Sequence, residues 1–432
     1  HILSLPSFSP LPLLPQFHSS PLVVSGQRPL LSLRRRFTMG IESLMREVQI
    51  KRNKKLDNQT KKETESADPN RAFLKDIVHN FFQSDVNLIR YETNEMTRLL
   101  EQLQAVMKAS PSLLELESPV MVCGDIHGQM TDLRRIFYIC GFPSRTRFLF
   151  LGDYVDRGAH SVEVVCVLAA MRLLFPKNVF LLRGNHELAH INKEYGFLFE
   201  MKSKWIDPAD GEKMYAKFNQ CFSYFPLAAV ISEKILCMHG GLSPHLNSLD
   251  DIRRIKRPFV KPNPGLAQDM LWADPSHCVV GFAPNDLRAV SVNFGEREVQ
   301  ERLKKLGVSK VIRAHQVVQH GWETFASGAV ITVFSACRYQ EESCNYGAVI
   351  NVKKNLGISV IMIKPSEFEE ARSNAGDPLT VDISANKGKA SGGSTNSSDS
   401  NNDKQHRNES PERTMPSYRG KTGEDKHEDE GK

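Results

Sequence analysis

The sequence of 432 residues contains no long hydrophobic run. No stretch of eighteen consecutive apolar residues occurs, whereas a membrane-spanning helix needs about 20. The sequence therefore predicts no membrane span. The net charge of +6 is only mildly basic, and the basic residues are not gathered into the long stripe that is typical of a nucleic-acid-binding surface. We therefore expect no nucleic-acid partner.

The eight cysteines show no paired spacing of the kind that binds structural zinc. Cys123, Cys166 and Cys237 lie within apolar stretches. Buried free thiols of an intracellular protein fit this distribution better than disulfides do.

Both ends of the chain differ in composition from its centre. Residues 1–40 contain six prolines, the cluster Arg34–Arg36 and no acidic residue. A mitochondrial leader can lack acidic residues, but these prolines would break its amphipathic helix. We favour Met39 as the biological start, and we expect a cytoplasmic or nuclear protein. The basic run Lys51–Lys55 leaves nuclear import open, although such runs are usually solvated surface.

Three segments follow from this composition. Residues 1–70 are predicted to be a disordered or leader extension, residues 71–365 a globular domain, and residues 366–432 a disordered polar tail. The tail is dominated by serine, asparagine, glycine, lysine and glutamate. Such a segment cannot bury enough apolar surface to offset its loss of chain entropy.

Three apolar runs inside the central segment each end in a loop with glycine and metal-ligand residue types. The loops are Gly124–Asp125–Ile126–His127–Gly128, Gly152–Asp153–Tyr154–Val155–Asp156–Arg157–Gly158 and Arg183–Gly184–Asn185–His186–Glu187. They are separated by 28 positions from Asp125 to Asp153 and by 32 from Asp153 to Asn185, the size of a strand–helix–strand unit. Right-handed parallel crossovers place such loops at one sheet edge.

The residues between these loops recur at helical spacing. Leu133, Ile136, Phe137 and Cys140 form one apolar stripe, and Val162, Val165, Leu168 and Met171 form the next. A carboxylate at the shared sheet edge can coordinate a hard cation, and its two oxygens can hold two cations together. Asp153 is the candidate for such a bridge.

Two further apolar runs end in histidine. Ile235–Met238 precedes His239, and Lys310–Arg313 precedes Ala314 and His315. In their order and spacing, the three loops and these two histidines resemble the metallophosphoesterase core of the PPP family of serine/threonine protein phosphatases. The sequence is most similar to the type-one branch of that family.

The resemblance covers roughly residues 71–365. It implies a calcineurin-like α/β fold in which a central β-sandwich is flanked by helices, giving four layers in the order α/β/β/α. It also implies two divalent metal ions. Asp125 and His127 bind the first ion, Asn185, His239 and His315 bind the second, and Asp153 binds both. This donor set suits manganese, iron or zinc better than calcium, and manganese is the ion that we expect.

The resemblance further implies a mechanism. A hydroxide bridging the metal ions attacks phosphoserine or phosphothreonine directly, and no phosphoenzyme forms. His186 is the general acid, Asp156 orients it, Arg157 and Arg288 bind phosphate oxygens, and Tyr339 lies over the metal pair. Two alternatives stay open: a metallophosphoesterase for nucleotides or diadenosine polyphosphates, and a weakly active scaffold.

Three departures from the family pattern affect these expectations. Leu287 is an extra residue before Arg288, which fits its role only if the loop absorbs the insertion. Cys337 and Arg338 replace a proline and an asparagine before Tyr339, which predicts a looser loop and altered substrate preference. Family regulators dock in an apolar groove, and the aligned Lys310 and Thr324 make that groove more polar. We expect regulatory subunits to bind more weakly there.

Overall fold

The protein is described by a computed structural model that covers residues 69–83, 92–339, 344–365 and 379–382. The predicted extension therefore lies outside the described residues up to position 68, as does most of the predicted tail. The helices are α1 Pro69–Gln83, α2 Thr93–Ala109, α3 Met130–Cys140, α4 Ser161–Leu174, α5 Ala189–Asn192, α6 Phe197–Lys204, α7 Pro208–Phe222, α8 Leu249–Arg253, α9 Leu266–Trp272 and α10 Glu296–Leu306.

The strands are β1 Leu113–Leu116, β2 Val120–Cys123, β3 Phe148–Phe150, β4 Val179–Leu181, β5 Ala228–Ile231, β6 Ile235–Met238, β7 Asp274–Pro275, β8 Phe282–Pro284, β9 Val292–Phe294, β10 Lys310–Arg313, β11 Trp322–Phe325, β12 Val330–Val333, β13 Gly347–Val352, β14 Ile358–Ile363 and β15 Leu379–Asp382. One six-stranded sheet has the order β1-β5-β6-β10-β12-β11, and the other has the order β15-β14-β13-β2-β3-β4. A small third sheet is formed by β7, β9 and β8.

The two large sheets pack face to face because their strands carry apolar side chains on both faces. One hydrophobic cluster contains residues of both sheets, including Val122, Leu149 and Ile350 from one and Cys237, Ile312 and Ile331 from the other. Side chains alternate along a strand, so Phe148 and Phe150 point away from Leu149. Both phenylalanines belong to a second cluster, on the helical side of their sheet.

Helices cover both outer faces of the sandwich. Residues of α1 to α4, α6 and α7 pack with Phe148 and Phe150 on one side. Ile252 of α8, Met270 of α9 and Val299 of α10 pack on the other side. The four-layer α/β/β/α architecture predicted from the sequence is confirmed.

The predicted crossovers are also found. Strands β2, β3 and β4 are adjacent and parallel, and α3 and α4 occupy the connections at the positions of the two apolar stripes. All three glycine-containing loops therefore leave the same end of one sheet.

Regular structure extends past the predicted domain boundary at residue 365. Strand β15 pairs antiparallel with β14, with Val381 opposite Val360, so part of the predicted tail joins the sheet. Its Leu-Thr-Val-Asp sequence suits a strand, and β14 offers the unpaired backbone groups of an edge. Within the described ranges, no helix is long and apolar enough to cross a membrane.

Deleting residues 371–432 should leave the edge of β14 unpaired. We expect the backbone amides of β14 that face β15 to exchange hydrogen faster in the truncated chain, because exchange requires an unprotected N–H. Hydrogen–deuterium exchange of peptides covering 358–363 measures this. Peptides from the central strand β3 serve as the internal control, and equal protection of β14 in both chains would contradict the pairing.

Candidate metal centre

Four predicted ligand atoms meet at the ends of β3, β4, β6 and β10. His239 Nε2 lies 2.8 Å from Asn185 Oδ1 and 3.2 Å from His315 Nδ1. It also lies 3.3 Å from Asp153 Oδ2. All four residues are buried. Donor atoms that share one ion with bond lengths of about 2.0–2.2 Å lie about 3 Å apart, so these atoms have the spacing of one metal site.

A second group of donors lies on the other side of Asp153. His127 Nε2 is 3.6 Å from Asp153 Oδ2 and 3.7 Å from Asp125 Oδ2. His186 Nε2 is also close, at 3.9 Å from Asp153 Oδ2. The six side chains predicted as ligands therefore come together, and Asp153 Oδ2 faces both groups.

The charges of this cluster fit bound cations. Burial, followed by the neighbouring charge of Asp153, raises the pKa of Asp125 to about 6. Burial acts against the charged form of Asp153 too, but the imidazoles of His239 and His186 outweigh it and lower its pKa. Two adjacent buried carboxylates are costly without a compensating positive charge. Carboxylate, amide and imidazole donors suit divalent transition metals.

The histidine tautomer agrees with a ligand role. His127 Nδ1–H donates to the carbonyl oxygen of Val155 at 2.8 Å, which leaves the Nε2 lone pair directed at the two aspartates. Burial, followed by the charge of His186, lowers the pKa of His127 to about 3. The ring is therefore neutral and able to bind a metal ion.

Backbone N–H groups fix one oxygen of each aspartate. Asp153 Oδ1 accepts from His186 N–H at 2.9 Å, and Asp125 Oδ1 accepts from His315 N–H at 3.1 Å. The Oδ2 atoms then face the imidazoles. Because each donor belongs to another loop, the ligand loops hold one another in place.

Glycines permit this close approach of the loops. A Cβ atom on Gly184 would lie 2.1 Å from Asp153 Oδ1, and one on Gly152 would lie 2.2 Å from Gly184 N. The loop backbone is also strained, because the site residues His127, Asp153, Asp156, Arg157 and His315 have positive φ. Such conformations cost on the order of 1–3 kcal/mol each and persist only where the surroundings impose them.

The predicted general acid forms a short hydrogen bond with its predicted partner. His186 Nδ1 lies 2.6 Å from Asp156 Oδ2. Burial disfavours the imidazolium, but the charges of Asp153 and Asp156 outweigh burial and raise the pKa of His186. Asp156 Oδ1 also accepts from Phe197 N–H at 2.9 Å, so α6 fixes the carboxylate. A protonated imidazole beside the metal site can donate a proton.

Arg157 is exposed at the rim of this site. Its guanidinium carbon lies 4.5 Å from the ring centre of Tyr195 and 5.8 Å from that of Tyr339. The Tyr339 ring in turn lies 4.8 Å from the His127 ring. The structure thus places two further predicted catalytic residues, Arg157 and Tyr339, next to the metal ligands.

The loop absorbs the extra residue Leu287. Leu287 is 89% exposed, while Arg288 Nε donates to Asp274 Oδ2 at 2.9 Å and Arg288 Nη2 donates to the carbonyl of His315 at 3.1 Å. The insertion points into solvent, and the guanidinium stays beside a metal ligand. Arg288 therefore lies beside the predicted metal ligand His315, and its role in phosphate binding stays a prediction.

The loop before Tyr339 is held more firmly than the missing proline suggested. Cys337 is buried, and its N–H, which a proline would lack, donates to Asp132 Oδ2 at 2.8 Å. The replacement thus adds a hydrogen bond to the body of the domain.

Sequence reasoning assigned no role to two carboxylates that organise the site. Glu187 accepts from the backbone N–H groups of Asp153, Tyr154 and Gly184, each at 2.8 Å. Asp274 joins Arg288 to the buried Arg313, with Arg313 Nη2 donating at 2.9 Å. Glu187 ends one of the three glycine-containing loops, whereas Asp274 lies in none of them.

Comparisons with known proteins agree with this geometry. Residues 118–319 match the family of calcineurin-like phosphoesterases. A solved structure from Saccharomyces cerevisiae, a protein serine/threonine phosphatase with similarity to human phosphatase PP5, has 29% identity and a TM-score of 0.63. The match covers 70% of this chain and 98% of that chain.

Two other solved structures have lower scores. The cold-active protein-tyrosine phosphatase of a psychrophilic Shewanella species matches with 19% identity and a TM-score of 0.45 over 60% of this chain and 81% of that chain. A putative diadenosine tetraphosphatase matches with 16% identity and a TM-score of 0.34 over 63% and 98%. Neither likeness is strong enough to inform the activity of this protein.

Residues 118–319 thus form a calcineurin-like metallophosphoesterase domain. The motifs and the match to the yeast phosphatase support the PPP family that the sequence predicted. Its assignment to the type-one branch stays a prediction.

Replacing the shared carboxylate should affect both metal positions. Asp153→Asn removes the negative charge that faces both donor groups, so we expect both ions to bind more weakly. Mutating a residue that only hydrogen-bonds a metal ligand lowers metal affinity by about 10–100-fold. Losing the shared ligand charge itself should lower it more. Metal content after equilibration with Mn²⁺ measures this. Asp210→Asn, an exposed carboxylate on α7 that pairs with Lys213, is the matched control. Retention of both ions by Asp153→Asn would contradict a shared ligand.

The placement of Arg288 predicts its contribution to phosphate binding. Arg288→Lys keeps the charge but cannot present two parallel N–H donors. A charge-assisted hydrogen bond contributes roughly 1.5–3 kcal/mol, so the Kd of inorganic phosphate for the metal-loaded protein should rise about tenfold or more. The neighbouring Leu287→Ala should change it less than about twofold, because this side chain is exposed. Equal effects of the two substitutions, measured by calorimetry, would argue against the assignment.

Proposed function

We propose that the protein hydrolyses phosphoserine and phosphothreonine in proteins with two bound divalent cations. The observation that carries the proposal is the His186–Asp156 pair directly beside the carboxylate that both donor groups share. That arrangement supports His186 as a proton donor to a phosphoester bound at the metal site. The similarity to the yeast protein serine/threonine phosphatase supports serine/threonine specificity.

The side chains divide the chemistry among themselves. Asp125, His127, Asp153, Asn185, His239 and His315 would hold the cations. When bound, the cations neutralise phosphate charge and lower the pKa of water, so that a nucleophile is available at neutral pH. Arg157 and Arg288 bind phosphate oxygens and orient the ester. His186 protonates the departing serine or threonine oxygen, and Asp156 keeps its ring in the donating orientation.

The identity of the ions belongs to the proposal as well. One group of donors offers an amide oxygen, two imidazoles and a carboxylate, and the other offers an imidazole and two carboxylates. Such mixed nitrogen and oxygen donors favour Mn²⁺, Fe²⁺ or Zn²⁺ over Ca²⁺. We expect Mn²⁺ to support activity in vitro.

Regulatory subunits are the partners that we propose besides phosphoprotein substrates. In the region aligned with the family's docking groove, Ile358 and Val360 are buried in the core between the sheets, whereas Thr324 is exposed. Lys310 Nζ donates to the carbonyl of Gly328 at 2.7 Å. An apolar peptide covering this lysine would bury a polar end, so the usual docking peptides should bind weakly. A cytoplasmic or nuclear location is likewise a proposal.

Substrate turnover decides between the function classes. With added Mn²⁺ the purified protein should hydrolyse phosphoserine and phosphothreonine peptides faster than phosphotyrosine peptides or diadenosine tetraphosphate. Asp125→Asn, which removes one ligand charge, should lose this activity and excludes a contaminating phosphatase. If diadenosine tetraphosphate were hydrolysed faster than the phosphopeptides, the protein would be a nucleotide phosphoesterase and the proposed protein specificity would be wrong. No turnover of any of these by metal-loaded protein would leave a binding scaffold as the better description.

A further inference from the structure

The loop that carries Tyr339 begins next to the metal centre, where its first residues contact Asp125. Phe334 bridges to Asp125, and Ser335 N–H donates to the carbonyl of Asp125 at 3.2 Å. Ser335 Oγ accepts from Gly124 N–H at 2.9 Å and donates to the carbonyl of Ala348 at 2.7 Å. The chain therefore leaves β12 directly beside a metal ligand, and further contacts must fix its path from there to Tyr339.

Asn345 provides these contacts. Its side chain is completely buried. Oδ1 accepts from Tyr339 N–H at 2.9 Å, and Nδ2 donates to the carbonyl oxygens of Ala336 at 2.8 Å and Tyr346 at 3.0 Å. The Asn345 carbonyl also accepts from Arg338 N–H at 3.1 Å. A single residue thus binds the loop before, at and after Arg338.

This set of contacts needs an amide side chain. The loop presents an N–H at Tyr339 and a carbonyl at Ala336, and only a group with both an acceptor and a donor satisfies the two. Asp132 holds the loop from the opposite side through Cys337 N–H. Arg338 between these contacts has φ +48°, a conformation that a non-glycine residue keeps only where its surroundings impose it.

The fixed loop determines where the phenol ring of Tyr339 lies. The ring packs at 4.8 Å from the His127 ring and 5.1 Å from the Phe334 ring. The guanidinium carbon of Arg157 lies 5.8 Å from the centre of the Tyr339 ring and 4.5 Å from that of Tyr195. Tyr339 therefore contributes one of the two aromatic contacts that orient an exposed arginine at the rim of the site.

We infer that Asn345 is a positioning residue that acts through Tyr339 on Arg157, and so sets how tightly the site binds the phosphate group of a substrate. The side-chain hydrogen bonds of Asn345 described above go to Tyr339, Ala336 and Tyr346, none of which is a predicted metal ligand. Its loss should therefore weaken phosphate binding without releasing the cations. The inference rests on the proposed function only in taking a phosphoester as the substrate.

A double-mutant cycle tests this dependence. Asn345→Ala, Tyr339→Ala and the double variant are compared with the native protein, all loaded with Mn²⁺. The readouts are KM and kcat for a phosphoserine peptide and for p-nitrophenyl phosphate, together with the Kd of inorganic phosphate. If Asn345 acts through Tyr339, each single substitution raises KM and this Kd about tenfold, with a smaller change in kcat. The double variant then resembles Tyr339→Ala, because dependent effects do not add.

Two controls separate positioning from a general loss of structure. Metal content should stay at the native level in all variants. Asn178→Ala removes an amide hydrogen bond to Pro143 far from the site, and it should leave KM unchanged. If Asn345→Ala does not unfold cooperatively, the isosteric Asn345→Asp replaces it in the same cycle. Asp keeps the acceptor for Tyr339 N–H but places an oxygen against the carbonyl of Ala336.

The outcomes distinguish this inference from the proposed function. Effects of the two substitutions that multiply in the double variant, or cations lost from Asn345→Ala, would overturn the inference. Hydrolysis of p-nitrophenyl phosphate but not of the phosphopeptide would overturn the proposed specificity alone. The cycle on the aryl phosphate, and the phosphate Kd, would still decide the role of Asn345.

Discussion

The structure depends on holding two buried carboxylates side by side. Asp125 and Asp153 are almost completely shielded from water, and each disfavours ionisation of the other. Burial and mutual repulsion raise the pKa of Asp125, whereas the surrounding imidazoles keep Asp153 ionised. A fold that accepts this cost needs positive charge at the same place. Divalent cations supply that charge, and the imidazole and amide donors complete the coordination.

The cluster stays together because polar side chains tie the loops to one another. Glu187 binds three backbone N–H groups of two ligand loops. Arg183 is fully buried and donates to the carbonyls of Glu187 and Phe259, and Arg313 joins the carbonyl of Gly240 to Asp274. These residues satisfy backbone groups that loops at a buried sheet edge would otherwise leave unpaired. The same contacts impose the positive φ values of the ligand residues.

The metal ligands occupy rigid, buried positions, whereas the residues around the opening of the site are exposed and can vary. The ligands lie at the ends of buried strands, where packing between the sheets leaves little freedom. Arg157, Tyr195 and Leu287 lie exposed around them. Changes at the rim can therefore alter which phosphoester binds while the metal centre stays intact. The extra residue Leu287, which points into solvent, is accommodated at this rim without displacing a ligand.

Much of this site could be predicted from the sequence. The apolar runs before Gly124, Gly152 and Arg183 gave parallel strands, and the intervening stripes gave helices, because local periodicity reports which faces are buried. The ordered loops then carried the resemblance that supplied the ligand set. The roles of Glu187, Asp274 and Asn345 could not be predicted, because each depends on hydrogen bonds to residues brought close only by folding. The strand at 379–382 was missed because its partner β14 lies outside its local sequence.

The sequence by itself predicted the fold class and placed Asp125, Asp153 and Asn185 at one sheet edge, since loops that follow adjacent parallel strands share an edge. The family resemblance of the sequence added His127, His239 and His315 to the predicted ligand set. Only the tertiary structure decided that Asp153 Oδ2 faces both donor groups, that Leu287 turns outward beside Arg288, and that Cys337 binds Asp132. These outcomes depend on distances of a few ångströms between residues remote in the chain. Residue order fixes which side chains can meet, whereas packing and backbone hydrogen bonds fix how they meet.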